Sequence, residues 1–390
     1  TAGLGRHHLD GGRSVIDSHP LPSFHWFLPT SGDGHQIGGV TAVQRRSDAA
    51  SRRAPTLDYL SQVARAAELA GFEAALTPTG AGCEDSLVTC AALAPVTSTL
   101  RFLVAFRPSL TLPTVLAQQA ATFQRMSRGR LALNVVTGGD PVEQRAFGDF
   151  SDHDTRYRRT DEFLTVLRRL FSGATVDFEG EHLHVEGASL LLPLEQIPRI
   201  DFGGASTAAE EVAARHADSY LTWGEPIEQV TPRIARVRAL AAGHARRPQF
   251  GIRLHVISRD TAAQAWAEAQ RLLDGMDDAA ISATQERFAR MDSVGQSRMA
   301  SLHGGRRARA RDLEVAPNLW AGVGLVREGA ATALVGDHDE VAARLVEYHR
   351  AGFDEFILSG YPHLEEAHRF GDHVRPRVEA ALRPSLTVGR

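Results

Sequence analysis

A chain of 390 residues, 43% hydrophobic and with a formal net charge of -4, is long enough for one large α/β domain and carries no basic block of the kind that binds nucleic acid. It contains no lysine, so every permanent positive charge is a guanidinium; this excludes Schiff-base chemistry on pyridoxal phosphate and a phosphate-binding P-loop, and it suits planar, two-pronged capture of anions. The two cysteines, Cys83 and Cys90, lack CxxC spacing, no apolar run approaches the roughly 18 residues of a membrane span, and the N-terminal stretch has no apolar signal core, so a cytoplasmic protein without a disulfide framework or a zinc–cysteine site is expected.

Residues 1–22 are rich in Gly, Ser and His and read as a disordered tail; 23–390 reads as one domain. Short apolar runs predict strands at 24–28, 73–77, 100–105, 130–136, 199–202, 218–222, 250–257 and 354–358. Amphipathic patterns predict helices at 56–70, 86–94, 113–126, 158–171, 207–216, 228–242, 261–290 and 339–351. Alternating strands and helices indicate a parallel sheet, and eight of each order fit a (β/α)8 barrel; a doubly wound open sheet is the competing architecture, weakened by the lack of GxGxxG after the first strand. "TVDFEGEHLHVEG" (175–187) alternates with period two around Glu179–Gly180 and predicts a β-hairpin insert. Its His182 and His184 have no evident third ligand, so no metal is expected there. A long insertion covers 258–335, and its end, "GQSRMASLHGGRRARARDLEVAPN", has little apolar periodicity and reads as a lid.

In a barrel of this type chemistry gathers where strands end. Those ends read "PTSGDGH", "PTGAGCED", "FRPS", "NVVTGGDP", "FGGAS", "WGEP" and "SGYPH", polar and Gly-rich at one rim. The seventh strand, "FGIRLHVI", carries Arg253 and His255 two apart, hence on one face. Arg253 either pairs with a barrel carboxylate or awaits an anion; His255 is either a hydrogen-bonded core histidine or an anion contact. "FGGAS" runs straight into a helix, so Gly204 and Ser206 suit either a plain N-cap or a phosphate seat. Tyr361 and His363 follow the last strand as candidate oxyanion donors or as ordinary loop residues.

These motifs, with "FLVAFRPSLTLPTVLAQQAAT", "HDTRYRRTDEF", "DSVGQSRMASLH" and "NLWAGVGLVREGAATALVGD", make the chain resemble the bacterial-luciferase-like flavin monooxygenases, and most of all the FMNH2-dependent alkanesulfonate monooxygenases, from about Phe24 to about Ala381. The resemblance implies a (β/α)8 barrel that takes reduced FMN from a separate NAD(P)H-dependent reductase. It also implies a peroxyflavin that, with O2, converts an alkanesulfonate to aldehyde and sulfite, in a homodimer or homotetramer. Other activities on the same fold stay open: a sulfone monooxygenase, a deazaflavin-dependent oxidoreductase, or a non-catalytic flavin-binding barrel. The resemblance places Cys83, Arg253, His255, Tyr361, His363 and a lid arginine at the reacting group, the lid residue falling among Arg306, Arg307, Arg309 and Arg311, with Arg306 and Arg311 as the candidates. It places Asn134, Thr137, Tyr157, Gly204, Ser206 and Trp223 around the flavin. Ser31 departs from the family, which often has His in that position.

Overall fold

The computed structural model describes residues 21–37, 53–305 and 308–383. The expected tail, apart from Leu21 and Pro22, and the lid candidates Arg306 and Arg307 lie outside the described residues.

Among these residues the first half of the chain runs β1 (Ser23–Phe27), α1 (Leu57–Leu69), β2 (Ala74–Thr77), α2 (Ser86–Leu93), β3 (Arg101–Phe106), α3 (Pro113–Ser127), β4 (Leu131–Val135), α4 (Pro141–Ala146) and α5 (His153–Phe171). A hairpin of β5 (Val176–Glu179) and β6 (His184–Ala188) follows, then β7 (Arg199–Gly203), α6 (Thr207–His216), β8 (Ser219–Trp223), α7 (Ile227–Gly243) and β9 (Gln249–Arg259). The remainder comprises α8 (Ala262–Asp274), α9 (Asp278–Ala289), α10 (Val294–His303), β10 (Glu314–Ala316), β11 (Leu319–Trp320), β12 (Ala333–Asp337), α11 (His338–Arg350), β13 (Glu355–Ser359), α12 (His363–Arg369) and α13 (Arg375–Leu382).

Strands β1, β2, β3, β4, β7, β8, β9 and β13 pair in parallel in that order, and β13 returns to β1, closing a (β/α)8 TIM barrel. The eight barrel strands are those expected from the sequence. Helix starts are marked by polar caps: Thr56, Asp85, Asp152 and Ser206 each accept a first-turn amide, and Asp337 forms a capping box with Glu340. Period two in the strands sends Phe27, Leu76, Leu103, Ala132, Leu221 and Ile357 inward as one apolar layer. Burying a side chain of this size contributes about 2 kcal/mol. The outward faces pack under the helices in the main core, with Trp26, Phe102, Phe202 and Phe356 fully enclosed.

The insertion corrects one expectation. The stretch read as aperiodic lid is largely regular: α10 starts at Ser293, whose side chain accepts from Gln296 N–H, it buries Met299 and His303, and Gly304 ends it at φ 61. The helix expected over 261–290 is two helices, because Asp277 caps a new start. The second half of the long strand β9 outruns β8 and pairs instead with β12, which carries β11 and β10 antiparallel beside it. Trp266, Leu272, Met276, Leu313, Trp320 and Val323 give this region a core of its own.

Candidate active site

The inward apolar layer is also a floor. Phe27, Leu76, Leu221 and Ile357 line the bottom of a cavity of about 260 Å³ at the C-terminal ends of the strands. Asn134, Gly203, Trp223 and Arg253 form its wall, Asn134 and Trp223 lying two residues beyond Ala132 and Leu221 on the same strand faces. Met291 to Gly295 from the insertion, with Glu328 and Gly329, lie across the top. Asp292 N–H donates to Gly139 O at 3.1 Å, Arg156 pairs with Asp292 at 2.8 Å, and Gly329 N–H donates to Gln296 Oε1 at 3.0 Å, so this cover is tied down on three sides.

A second cavity, about 430 Å³, lies at the opposite end of the barrel, between His25, Arg101, Arg199, Gln249 and Glu355. There Arg199 is already paired with both Asp201 and Glu355, which marks that end as structural.

One end of the upper cavity is built to receive negative charge. Gly203, Gly204, Ala205 and Ser206 carry β7 into α6. The Tyr220 hydroxyl donates to Gly204 O and fixes the turn. A Cβ on Gly204 would sit 2.5 Å from Ala209 Cβ, so only glycine brings the backbone this close. Ser206 Oγ accepts from Ala209 N–H at 3.2 Å, and Ser206, where α6 begins, lines this end with its own hydroxyl proton still to give. Tyr157 and His153 of α5 line the same end, their rings 4.8 Å apart.

At the other end Arg253 lines the cavity, and Arg327 neighbours it without being part of the lining. Arg253 lies over the Phe27 ring, 4.2 Å from its centroid, and Arg327 lies over the same ring at 5.2 Å and over Tyr361 at 5.8 Å. The Arg253 Nε and Nη2 atoms are buried and have no hydrogen-bond partner among the described residues. Burial first, and the Arg327 charge second, pull the Arg253 guanidinium down to about 9. Neither arginine has a carboxylate partner among the described residues. The Tyr361 hydroxyl is buried beside Arg327; burial raises its pKa, and the Arg327 and Arg253 charges oppose the rise. The Cys83 thiol, on the loop after β2, is near enough to Arg253 to act on its charge.

His255 is held behind this corner. Its Nε2 meets Ala330 O at 3.1 Å and its Nδ1 meets Ser359 Oγ at 2.8 Å; a carbonyl only accepts, so Nε2 carries the proton and Nδ1 accepts from the serine. Burial, followed by the Arg327 and Arg253 charges, holds it well below its ordinary value, so it is neutral. Its ring stacks on Tyr361 at 5.5 Å. His363 donates or shares a proton with Asp33 through Nδ1 at 2.8 Å, and its ring lies 5.6 Å from Phe27.

All six residues expected around a cofactor, Asn134, Thr137, Tyr157, Gly204, Ser206 and Trp223, therefore line one cavity together with Arg253. His255, Tyr361 and His363 pack around the arginine corner without forming its lining. Arg311 faces elsewhere: it stacks on Trp266 at 3.9 Å and pairs with Glu314 at 3.0 Å. Arg309 pairs with Asp312. Arg306 is outside the described residues. Sequence reasoning passed over Arg327 and Asp33. Arg327 ends an uncharged run from Val315 to Val326, and that position was its signal.

The sequence family described as luciferase-like monooxygenase matches residues 23–355. The chain belongs to this family. Among solved structures, this luciferase-like monooxygenase superimposes on a riboflavin lyase crystallised with modified FMN and riboflavin, at TM-score 0.74 and 20% identity, covering 94% of this chain and 93% of that one. It also superimposes on DmoA from Hyphomicrobium sulfonivorans, at 0.73 and 20%, covering 95% and 90%. For the EDTA monooxygenase of Chelativorans sp. BNC1 the values are 0.71 and 19%, covering 94% and 95%. At these identities the likeness is one of fold. No helix among the described residues is long and apolar enough to cross a membrane.

Proposed function

We propose that this luciferase-like protein is a reduced-FMN- and O2-dependent monooxygenase that converts alkanesulfonates, R–CH2–SO3⁻, to aldehyde and sulfite. The observation that carries this reading is the pair Arg253 and Arg327 over one phenyl ring, with no carboxylate among the described residues paired with either. A sulfonate is anionic at every physiological pH and presents oxygens to both guanidinium forks. A neutral sulfone or hydrocarbon would leave two cations uncompensated in a partly dry corner.

The residues at the opposite end fit a flavin phosphate. Gly203 and Gly204 allow close backbone approach, and the α6 amides, Ser206, Tyr157 and His153 supply donors. The space between, over Phe27, Leu76, Leu221 and Ile357 and beside Trp223 and Asn134, suits a flat ring. A bound reduced flavin supplies the electrons that activate oxygen. The chain itself supplies the rest: Arg253 and Arg327 orient the sulfonate, the apolar floor and the 291–295 cover exclude water, and His255 and Tyr361 hold the arginine corner in shape. With no dinucleotide fingerprint in the sequence, reduced flavin comes from a separate NAD(P)H-dependent reductase.

The test is sulfite release from octanesulfonate with photochemically reduced FMN and oxygen. Stoichiometric sulfite and octanal are expected. Flavin oxidation with no sulfite, across short and long sulfonates, would remove this reading.

A further inference from the structure

Arg327 and Glu328 are consecutive, yet they turn to opposite sides. Arg327 lies against Phe27 and Tyr361, in the arginine corner. Glu328 lines the cavity and reaches to α9, where its Oε2 accepts from Arg287 Nη2 at 2.7 Å. That guanidinium is shared, for Arg287 Nε donates to Asp140 Oδ2 at 2.7 Å. Arg107, which also lines the cavity, is paired with Glu143, and Glu143 accepts a second bond from Ala81 N–H at 2.8 Å. Among the described residues, then, the three carboxylates Asp140, Glu143 and Glu328 meet the two guanidiniums Arg107 and Arg287, so one negative charge is left without a partner charge. Glu328 keeps 32% of its side chain exposed, and Arg287 gives its only hydrogen bond among the described residues. Burial pushes the Glu328 carboxyl above its ordinary value; Arg287 and Arg107 oppose the rise, and the Glu143 and Asp140 charges add to it. A further cation beside it would favour the ionised form.

One cavity therefore carries two unneutralised charges of opposite sign: Arg253, whose buried Nε and Nη2 have no partner among the described residues, and Glu328. We propose that Glu328 is a specificity-determining residue that selects sulfonates carrying an ammonium on the chain beyond the reacting carbon, so that the preferred substrates are zwitterions. This rests on the sulfonate reading and names the substrate class within it. The sulfonate faces Arg253, and the ammonium takes the spare charge of Glu328. A cavity of about 260 Å³ lies just below the roughly 300–1,000 Å³ of most ligand pockets, so a flavin fills most of it and the rest of the substrate runs towards the cover, where Glu328 sits.

The backbone that presents this carboxylate is fixed. Gly329 N–H, next along the chain, donates to Gln296 Oε1 at 3.0 Å, and a Cβ on Gly329 would lie 3.8 Å from the Trp223 ring. An apolar tail passing here would strip water from a carboxylate that is only half paired, whereas an ammonium would complete its pairing. The same network also ties the insertion to the loop after β4 through Arg287. A tie affects every ligand alike; a selecting charge separates a cation from a neutral group of the same shape.

Anaerobic calorimetric titrations of the protein loaded with reduced FMN read this difference without turnover. The probes are ω-trimethylammonio alkanesulfonates, from propane to octane in length, each beside its tert-butyl isostere, in which carbon replaces the charged nitrogen. The wild type is expected to bind the cationic member of at least one pair about 5-fold or more tightly than its isostere. The preference should fade as pH falls and Glu328 takes up its proton. Glu328→Gln should bring the ratio close to one, weakening the cationic probe and letting the isostere bind tighter. Asp140→Asn keeps the cap on α4 and leaves Arg287 to Glu328 alone, so it should shrink the ratio as well. A wild-type ratio of one at every length overturns the assignment, whether or not the variants fold. A ratio that survives in Glu328→Gln overturns it too, and leaves the network as a tie. Admitting oxygen and measuring sulfite separates this proposal from the reaction it rests on. Cationic preference with no sulfite from any sulfonate ends the monooxygenase reading and keeps the Glu328 assignment; sulfite without cationic preference does the reverse. If no sulfonate binds, both fail.

Discussion

Arg253 and Arg327 share one aromatic ring: both guanidiniums lie against Phe27, at 4.2 and 5.2 Å from its centroid, although the two residues come from β9 and from the insertion. Two like charges are stable together when an aromatic face and an incoming anion offset their repulsion. Arg253→Ala is therefore expected to lose roughly 2–4 kcal/mol of transition-state stabilisation while still binding reduced FMN. Arg327→Ala should fall in the same range, and the double variant should lose less than the sum, because the residues act on one group. Arg253→Lys should rescue poorly, since an ammonium cannot make the fork. Sulfite assays on the four proteins, with flavin titrations as control, check this; near-normal turnover in Arg253→Ala sinks the anion site.

The phosphate end can be tested without disturbing the helix. Ser206 caps α6, so Ser206→Ala would confuse lost binding with about 1 kcal/mol of lost capping. Ser206→Asp keeps a good cap and a favourable charge at the helix start, but sets a carboxylate against the flavin phosphate. Reduced FMN should bind about 10-fold or more weakly to this variant, while reduced riboflavin binds as to the wild type. Equal weakening for both flavins would place the phosphate elsewhere.

The eight barrel strands, the hairpin and the gathering of Asn134, Thr137, Tyr157, Gly204, Ser206 and Trp223 at one cavity were legible because each depends on local pattern: alternation within a strand, or a Gly-rich turn leading into a helix. The arginine corner was only half legible. Arg253 and His255 lie on one strand, so their spacing announced a shared face, but the structure turns only Arg253 into the cavity and satisfies His255 from Ala330 and Ser359. Arg327 joins them from another part of the chain, and Asp33 meets His363 across 330 positions. No periodicity encodes such pairings; they follow from barrel closure, which brings β1 beside β13. The Arg-rich stretch drew attention to Arg311, whose planar head finds the Trp266 face instead. Strand β12 was missed because it exists to pair the part of β9 that projects past the barrel.

The cover over the cavity depends on a missing side chain. A Cβ on Gly295 would lie 3.0 Å from the Trp223 ring and a Cβ on Gly139 would lie 2.7 Å from Ser293 Cβ. Gly295→Leu should therefore push Trp223 into the space above the apolar floor. The fold should survive, because the strain can be relieved into the cavity, but reduced FMN should bind at least about 10-fold more weakly. A flavin titration alongside thermal unfolding distinguishes a filled cavity from a damaged barrel. Unchanged flavin affinity would mean that the ring does not lie beside Trp223.

At the far end of the barrel, one guanidinium serves two enclosed carboxylates. Arg199 Nη2 donates to Asp201 Oδ2 at 2.8 Å and to Glu355 Oε2 at 2.9 Å, and Ser219 adds a bond to Glu355 at 3.1 Å. Burial raises the Asp201 carboxyl above the usual range, Arg199 opposes that rise, and the Glu355 charge adds to it. The unfolded chain loses this proton near the ordinary carboxylate value of about 4. Between that value and the raised native one, the folded protein holds a proton that the unfolded chain lacks. Stability from this group therefore grows as pH falls through the window and is lost as pH rises through the native value. Asp201→Asn removes the titration while keeping an acceptor for Arg199, so its melting temperature should depend less on pH over that interval than the wild type's. Because the cluster sits at the opposite end from the arginine corner, sulfite release per folded molecule should stay unchanged. Parallel pH slopes for the two proteins would mean that Asp201 is ionised throughout, and that Arg199 alone outweighs the cost of burying both acids.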